Sequence, residues 1–171
     1  NFGHKPIQVN EEKNQNTVDT QTIEKIVSEV LGERIVVNQE ACIGSRINLI
    51  SDDKYIMALG IANVQKAGNE VSGDSIINTR LKDGKYIVAI SDGMGAGEKA
   101  KESSKQALKM LENLLMSGFD KETSLELINT SLINKNDEIF ATLDIAIVDL
   151  YQGTVEMIKS GACPTYFKNK K

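Results

Sequence analysis

Apolar residues at Ile23, Ile26, Val27, Val30 and Leu31 follow an i, i+3, i+4, i+7, i+8 spacing. That is the stripe of a helix with one buried face. Asp19 or Thr20 is placed to cap its start and Gly32 to end it, which predicts a helix within 17–33. The pattern then changes to short apolar runs. Residues 34–38 and 46–50 read as strands separated by Gly44-Ser45, and Ser51 to Lys54 as a turn. Tyr55 to Ala62 reads as a buried strand, and Lys66 to Gly73 as a glycine-broken loop. Ser75 to Arg80 and Lys85 to Ser91 read as two strands flanking Lys82-Asp83-Gly84, and Asp-Gly is a strong hairpin signal.

A long helical pattern follows. Ala100, Ser104, Ala107, Leu108, Leu111, Leu114 and Leu115 mark one face from about 98 to 117, and Gly118 is a stop. Leu125, Ile128 and Leu132 mark a second helix over 120–133, and so short a connection implies roughly antiparallel neighbours. Strands are expected at 141–148 and 154–159 around a turn at Gln152-Gly153, with a last strand starting at Thr165-Tyr166-Phe167. Residues 1–16 are polar and unpatterned and are expected to be loose. Strands and helices come in blocks and hairpins dominate. The expected class is therefore α+β, antiparallel sheets with helices segregated onto a face.

Composition narrows the function. The chain has 171 residues, 40% hydrophobic and 26% charged, with a net charge of -4. It shows no basic run before its end, so a nucleic-acid surface is not indicated. Its apolar runs fall far short of the roughly 20 residues a membrane span needs. The two cysteines, Cys42 and Cys163, fit a reducing cytoplasm better than a disulfide scaffold. The single histidine, His4, lies in the polar terminus and offers little to a mechanism that needs a positioned imidazole. The first residue is Asn1 rather than Met, and the chain is expected to be part of something longer.

The chemistry concentrates where an apolar run ends in Ser91-Asp92, followed by Gly93, Gly95 and Gly97 at alternate positions. The hairpin supplies Asp92 with a partner. A two-residue turn at Asp83-Gly84 would place Asp74 opposite Gly93, and a three-residue turn would place Asp74 opposite Asp92. Only the second puts both carboxylates on one face. Two facing carboxylates require a shared proton or a cation. A set of Asp74, Asp92 and glycine-loop carbonyls is all oxygen, which suits Mg²⁺ or Mn²⁺. Metal-assisted chemistry at phosphate is the expectation. The rival, a nucleotide-binding loop over 93–100, fails the phosphate-loop template. Glu98 separates Gly97 from Lys99, and Ala100 stands where a Ser or Thr should be.

Val71-Ser72-Gly73-Asp74-Ser75, Ala89-Ile90-Ser91-Asp92-Gly93-Met94-Gly95, Thr142-Leu143-Asp144 and Gly161-Ala162-Cys163-Pro164 together resemble the type-2C metal-dependent protein serine/threonine phosphatases, in particular the branch acting in sporulation. The resemblance covers roughly 30–171. It implies a four-layer α/β/β/α sandwich of antiparallel sheets, here incomplete at its C-terminal end. Residues 34–171 would then be a partial phosphatase domain, preceded by a helical arm at 17–33 and a flexible segment at 1–16. It also implies two Mn²⁺ or Mg²⁺ ions in the complete domain. Asp92 would bridge both metals as the catalytic residue, and Asp74 and the Gly93 carbonyl would bind one of them. The implied substrate is a phosphoserine on a small regulatory protein, an anti-sigma-factor antagonist. The implied setting is a cytoplasmic domain, and the resemblance also suggests a membrane anchor in the parent. Met94 stands where many relatives carry a His, so no general acid is assigned. The family's two further acidic motifs have no counterpart in these residues, and Asp144 and Asp149 sit at unrelated strand positions. Exposed sheet edges lead us to expect a homodimer or other self-association. The competing expectation is a regulatory or dimerisation fragment without turnover.

Overall fold

A computed structural model describes residues 6–10, 19–44, 46–64, 71–94, 97–133 and 141–168. The chain divides into two compact units. The first comprises Asn1–Leu59 together with Thr79–Ile87 and Ile147–Val155, and the second Gly60–Asn78, Val88–Ala146 and Glu156–Lys171.

In the first unit, strands β1 (Ile7–Asn10), β2 (Ile35–Val37) and β3 (Arg46–Ser51) form an antiparallel sheet in the order β1-β3-β2. Ile7 pairs with Leu49 and Ile35 with Ser51. Residues 7–10, expected to be loose, are thus a strand. Ile7 and Val9 alternate with Gln8 and Asn10, a period-2 pattern too short to register in the sequence but sufficient once β3 offers a ladder. Helix α1 (Thr20–Leu31) ends at Gly32, whose φ of 68° is left-handed and whose N–H donates to Ser28 O at 2.9 Å. Two side chains tie the helix to β2: Ile35 N donates to Ser28 Oγ at 2.9 Å, and Val37 N to Glu24 Oε1 at 2.7 Å. None of its residues is buried, and Ile26, Val30 and Leu31 are exposed. Leu49 and Ile50 of β3 are the most deeply buried apolar side chains of this sheet.

The second unit holds helices α2 (Glu98–Met116) and α3 (Lys121–Ile133) and most of a four-stranded sheet. Its strands are β4 (Asp74–Arg80), β5 (Tyr86–Asp92), β6 (Leu143–Asp149) and β7 (Thr154–Ser160), in the order β4-β5-β6-β7. α2 buries Ala100, Ser104, Ala107, Leu108 and Leu111, the first five positions of the stripe read from the sequence. α3 packs against it and buries Ile128 and Ser124. Ala89, Ser91, Leu143 and Ile145 fill the buried face of the sheet. The architecture is α+β.

Two expected strands are absent. Residues 55–62 form no regular structure, with Ile56 98% and Ile61 59% exposed. The chain there is tied at its start, where Lys54 N and Tyr55 N both donate to Leu150 O at 3.0 Å. The Tyr55 ring lies where a Cβ on Gly153 would stand, 2.7 Å away. Residues 165–167 are likewise irregular, with Tyr166 and Phe167 exposed. Both runs have β composition, but composition favours a strand only where a neighbour supplies the ladder. The expectation for 66–70 falls outside the described residues, as does His4. Cys42 and Cys163 are both free.

Candidate metal site at the open end of a hairpin

The turn decides the site. Leu81 N donates to Lys85 O at 2.7 Å and Gly84 N to Leu81 O at 3.0 Å, with Gly84 at a φ of 87°. That is a three-residue loop, Lys82 to Gly84, whose left-handed glycine completes a bulge. Leu81 therefore faces Lys85. β4 and β5 are both seven residues long and run between this turn and the two acids, so Asp74 stands opposite Asp92. The register that places both carboxylates on one face is the one adopted.

The two carboxylates lie within hydrogen-bonding reach of each other. Asp92 is exposed at the strand end, yet its carboxyl is pushed above the ordinary aspartate value. The causes are first partial desolvation, then the charge of Asp74 and a hydrogen bond that the Asp92 carboxyl donates to it. Thr142, just before β6, clamps the backbone of Asp92 from the other side. Thr142 N donates to Asp92 O at 2.9 Å, and Asp92 N donates to Thr142 Oγ1 at 3.2 Å. A bridge between Gly93 and Ala141 carries the pairing one step past the acid.

Glycines let the backbones close in. A Cβ on Gly93 would lie 1.9 Å from Ala100 O, which no side chain can survive. A Cβ on Gly73 would lie 3.1 Å from Ala100 Cβ, 3.5 Å from Gly93 O and 3.9 Å from Asp92 Oδ1. Gly73, Asp92 and Gly93 thus converge on the first turn of α2. That helix starts at Gly97, whose φ of 72° and ψ of -151° is a conformation essentially confined to glycine. Ser72 Oγ lies 3.3 Å from both Asp74 Oδ2 and Asp74 N, closing a small turn around the acid. Lys101 Nζ donates to Asp74 O, and Ser104 Oγ donates to Gly73 O at 2.6 Å.

This arrangement fits a hard divalent cation. Two facing carboxylates repel, and a cation between them relieves that repulsion at neutral pH. Asp74, Asp92 and the Gly93 carbonyl are the residues that would hold it, an all-oxygen set suited to Mg²⁺ or Mn²⁺. When bound, such an ion lowers the pKa of a bound water and so supplies a nucleophile at neutral pH. Among the described residues no group of three or more His, Cys, Asp or Glu side chains converges. Asp144 does not join the site, because its Oδ2 accepts from Lys159 Nζ at 2.5 Å. Asp149 Oδ1 instead accepts from Tyr151 N at 3.0 Å and Gln152 N at 2.8 Å, organising the β6–β7 turn. Met94 is exposed and has no proton to give. The sequence reading named Thr142 in a motif and Ser104 on the helix stripe but gave neither of them, nor Lys101, a role at the site. For Ser104 a signal existed: a hydroxyl on the apolar stripe of α2.

Comparison with known proteins assigns the fold and the family. The model of the stage II sporulation protein E (SpoIIE) family matches residues 82–171. The chain is 38% identical over 152 residues to the stage II sporulation protein E of Priestia megaterium, covering 85% of this chain and 26% of that protein. It is 29% identical over 96 residues to the phosphoserine phosphatase RsbX of Bacillus subtilis, covering 56% of this chain and 46% of that protein. A solved structure of the PP2C phosphatase domain and a fragment of the regulatory domain of SpoIIE from B. subtilis superposes with a TM-score of 0.61 at 33% identity. It covers 94% of this chain and 49% of that one. The fold is that of the type-2C phosphatases. Within that class, the chain belongs to the stage II sporulation protein E family, and it spans about a quarter of the length of its Priestia relative. None of the described helices is long and apolar enough to cross a membrane.

Proposed function

We propose that this chain carries the Asp74–Asp92–Gly93 portion of the metal site of a Mn²⁺- or Mg²⁺-dependent protein serine phosphatase. Asp92 would be the central ligand, and Asp74 and the Gly93 carbonyl would complete this chain's share of the site. The observation that carries this reading is the pairing of Asp74 with Asp92 at the open end of the hairpin, with Asp92 held above its ordinary pKa by burial and by Asp74. The substrate is a phosphoserine on a small regulatory protein, an anti-sigma-factor antagonist acting in sporulation control. Membership of the sporulation family and similarity to a phosphoserine phosphatase support that choice. The setting is the cytoplasm.

The test is Mn²⁺-dependent release of phosphate from a phosphoserine protein by the full-length protein that carries this sequence. Asp92→Ala is expected to cut turnover by more than the roughly 10–100-fold typical of residues that only orient a ligand. Undiminished turnover in that variant would remove Asp92 from the mechanism. The 171-residue chain assayed alone is expected to show no turnover, because the described residues bring only two carboxylates to the site.

A further inference from the structure

We propose that Ser104 is a positioning residue for Asp74: with Ser75 it forms a two-hydroxyl staple that turns the Asp74 carboxylate toward Asp92. This rests on the reading of Asp74 as a metal ligand and adds how the strand that bears it is held. Ser104 is fully buried on α2, and Ser75 is buried on β4. Their hydroxyl oxygens are 2.7 Å apart. Ser104 Oγ also lies 2.6 Å from Gly73 O and 3.0 Å from Lys101 O. A serine hydroxyl carries one proton. The shortest contact assigns that proton to Gly73 O, so Ser75 donates to Ser104.

The staple grips the residues on both sides of Asp74 without touching its carboxylate. Successive side chains on a strand point to opposite faces. Fixing Ser75 against the helix therefore turns Asp74 away from the helix, onto the face that carries Asp92. Fixing the Gly73 carbonyl sets where the strand begins. The same helical turn seats Ala100 in the space left by Gly73 and Gly93, and Lys101 Nζ donates to Asp74 O. If packing alone were needed, two alanines would serve here, since a buried hydroxyl costs free energy unless it is paired. A hydroxyl adds direction, and the direction leads to the backbone carbonyl next to the ligand.

The experiment titrates Mn²⁺ alone into the full-length protein, following free Mn²⁺ by electron paramagnetic resonance, with thermal unfolding recorded in parallel. Ser104→Ala is the main variant. Ser75→Ala, which removes one bond of the staple, is the milder one. Ser124→Ala is the control: Ser124 is fully buried on the neighbouring helix, and its hydroxyl donates to Asp120 O at 2.7 Å, with no link to β4. Ser104→Ala is expected to weaken Mn²⁺ binding about 10–100-fold, and Ser75→Ala by less. Ser124→Ala should lower the melting temperature and leave Mn²⁺ binding unchanged. In the phosphatase assay the loss in Ser104→Ala should be recovered by raising Mn²⁺, with KM for the phosphoprotein unaltered. If Ser104→Ala and Ser124→Ala lower stability alike and bind Mn²⁺ as the unmodified protein does, the staple is only structural and the proposal falls. If the unmodified protein binds no Mn²⁺, the metal-site reading itself falls and takes the staple with it.

Discussion

β5 and the stretch from Tyr55 to Val64 are both rich in isoleucine and alanine, and they live in opposite circumstances. Along β5, Ile87, Ala89 and Ser91 are buried, β4 and β6 flank the strand, and Thr142 holds its last residue by two hydrogen bonds. In the other stretch, Ile56, Leu59, Ile61 and Val64 face solvent. The difference lies in neighbours rather than composition. The hairpin partner of β5 is delivered by a three-residue turn immediately before it, at little loop-closure cost. A site that must hold two like charges at close range is built on the stretch that is held from both sides.

Perturbations that load the two stretches differently sharpen this contrast. The largest expected effect is Gly93→Ala. The added methyl would meet Ala100 O at 1.9 Å, so the start of α2 must move. We expect a loss at the upper end of single-substitution effects, about 4 kcal/mol or more, read by chemical denaturation. Retained stability would mean that α2 does not press on the site as described. Next, Ile87→Ala should cost about 2–5 kcal/mol, because Ile87 is fully buried. Its counterpart, Ile56→Ser, should stay within about 0.5 kcal/mol, Ile56 being 98% exposed. The same substitution should reduce self-association in light scattering by removing an exposed apolar side chain. Equal costs at the two isoleucines would erase the contrast.

The smallest effect concerns charge. With the pKa of Asp92 raised, the metal-free folded chain binds this proton more tightly than the unfolded chain does at pH values between the ordinary and the raised pKa. Stability from this group is therefore greatest at or below the ordinary aspartate value and declines as pH rises through the raised one. Asp92→Asn should flatten that decline and modestly raise the melting temperature of the metal-free protein at neutral pH. An unchanged pH profile would show that Asp74 and Asp92 do not sense each other.

The parts of this fold that sequence made legible are those specified locally. The stripe of α2, the capping glycine of α1 and the Asp-Gly turn each state their geometry within a few residues. Turn chemistry limited the register to two choices, and the length of the loop selected between them. The stretch 55–62 and the residues 165–167 misled because apolar, β-favouring composition says nothing about whether a ladder partner is present. Strand β1 was missed for the converse reason: four residues with two apolar positions become a strand only because β3 lies beside them. At the site, Asp74, Asp92 and Gly93 were readable as acids and a glycine at strand ends. Ser104 showed only as a hydroxyl on the apolar stripe of α2, because its partners Ser75 and the Gly73 carbonyl lie 29 and 31 residues away in sequence.

The loop at Lys82 to Gly84 lies at the opposite end of the hairpin from the two acids and touches neither, yet its length decides whether they meet. Exchanges of Lys82 or Asp83 that keep a three-residue turn leave the pairing of Asp74 with Asp92 intact. A turn formed one residue further along the same sequence would instead pair Lys82 with Lys85 and set Asp74 opposite Gly93, on the face away from Asp92. Gly84, whose left-handed φ of 87° fixes where the chain reverses, thus serves the acids from a distance: a glycine that touches neither carboxylate selects which residues meet several pairs away.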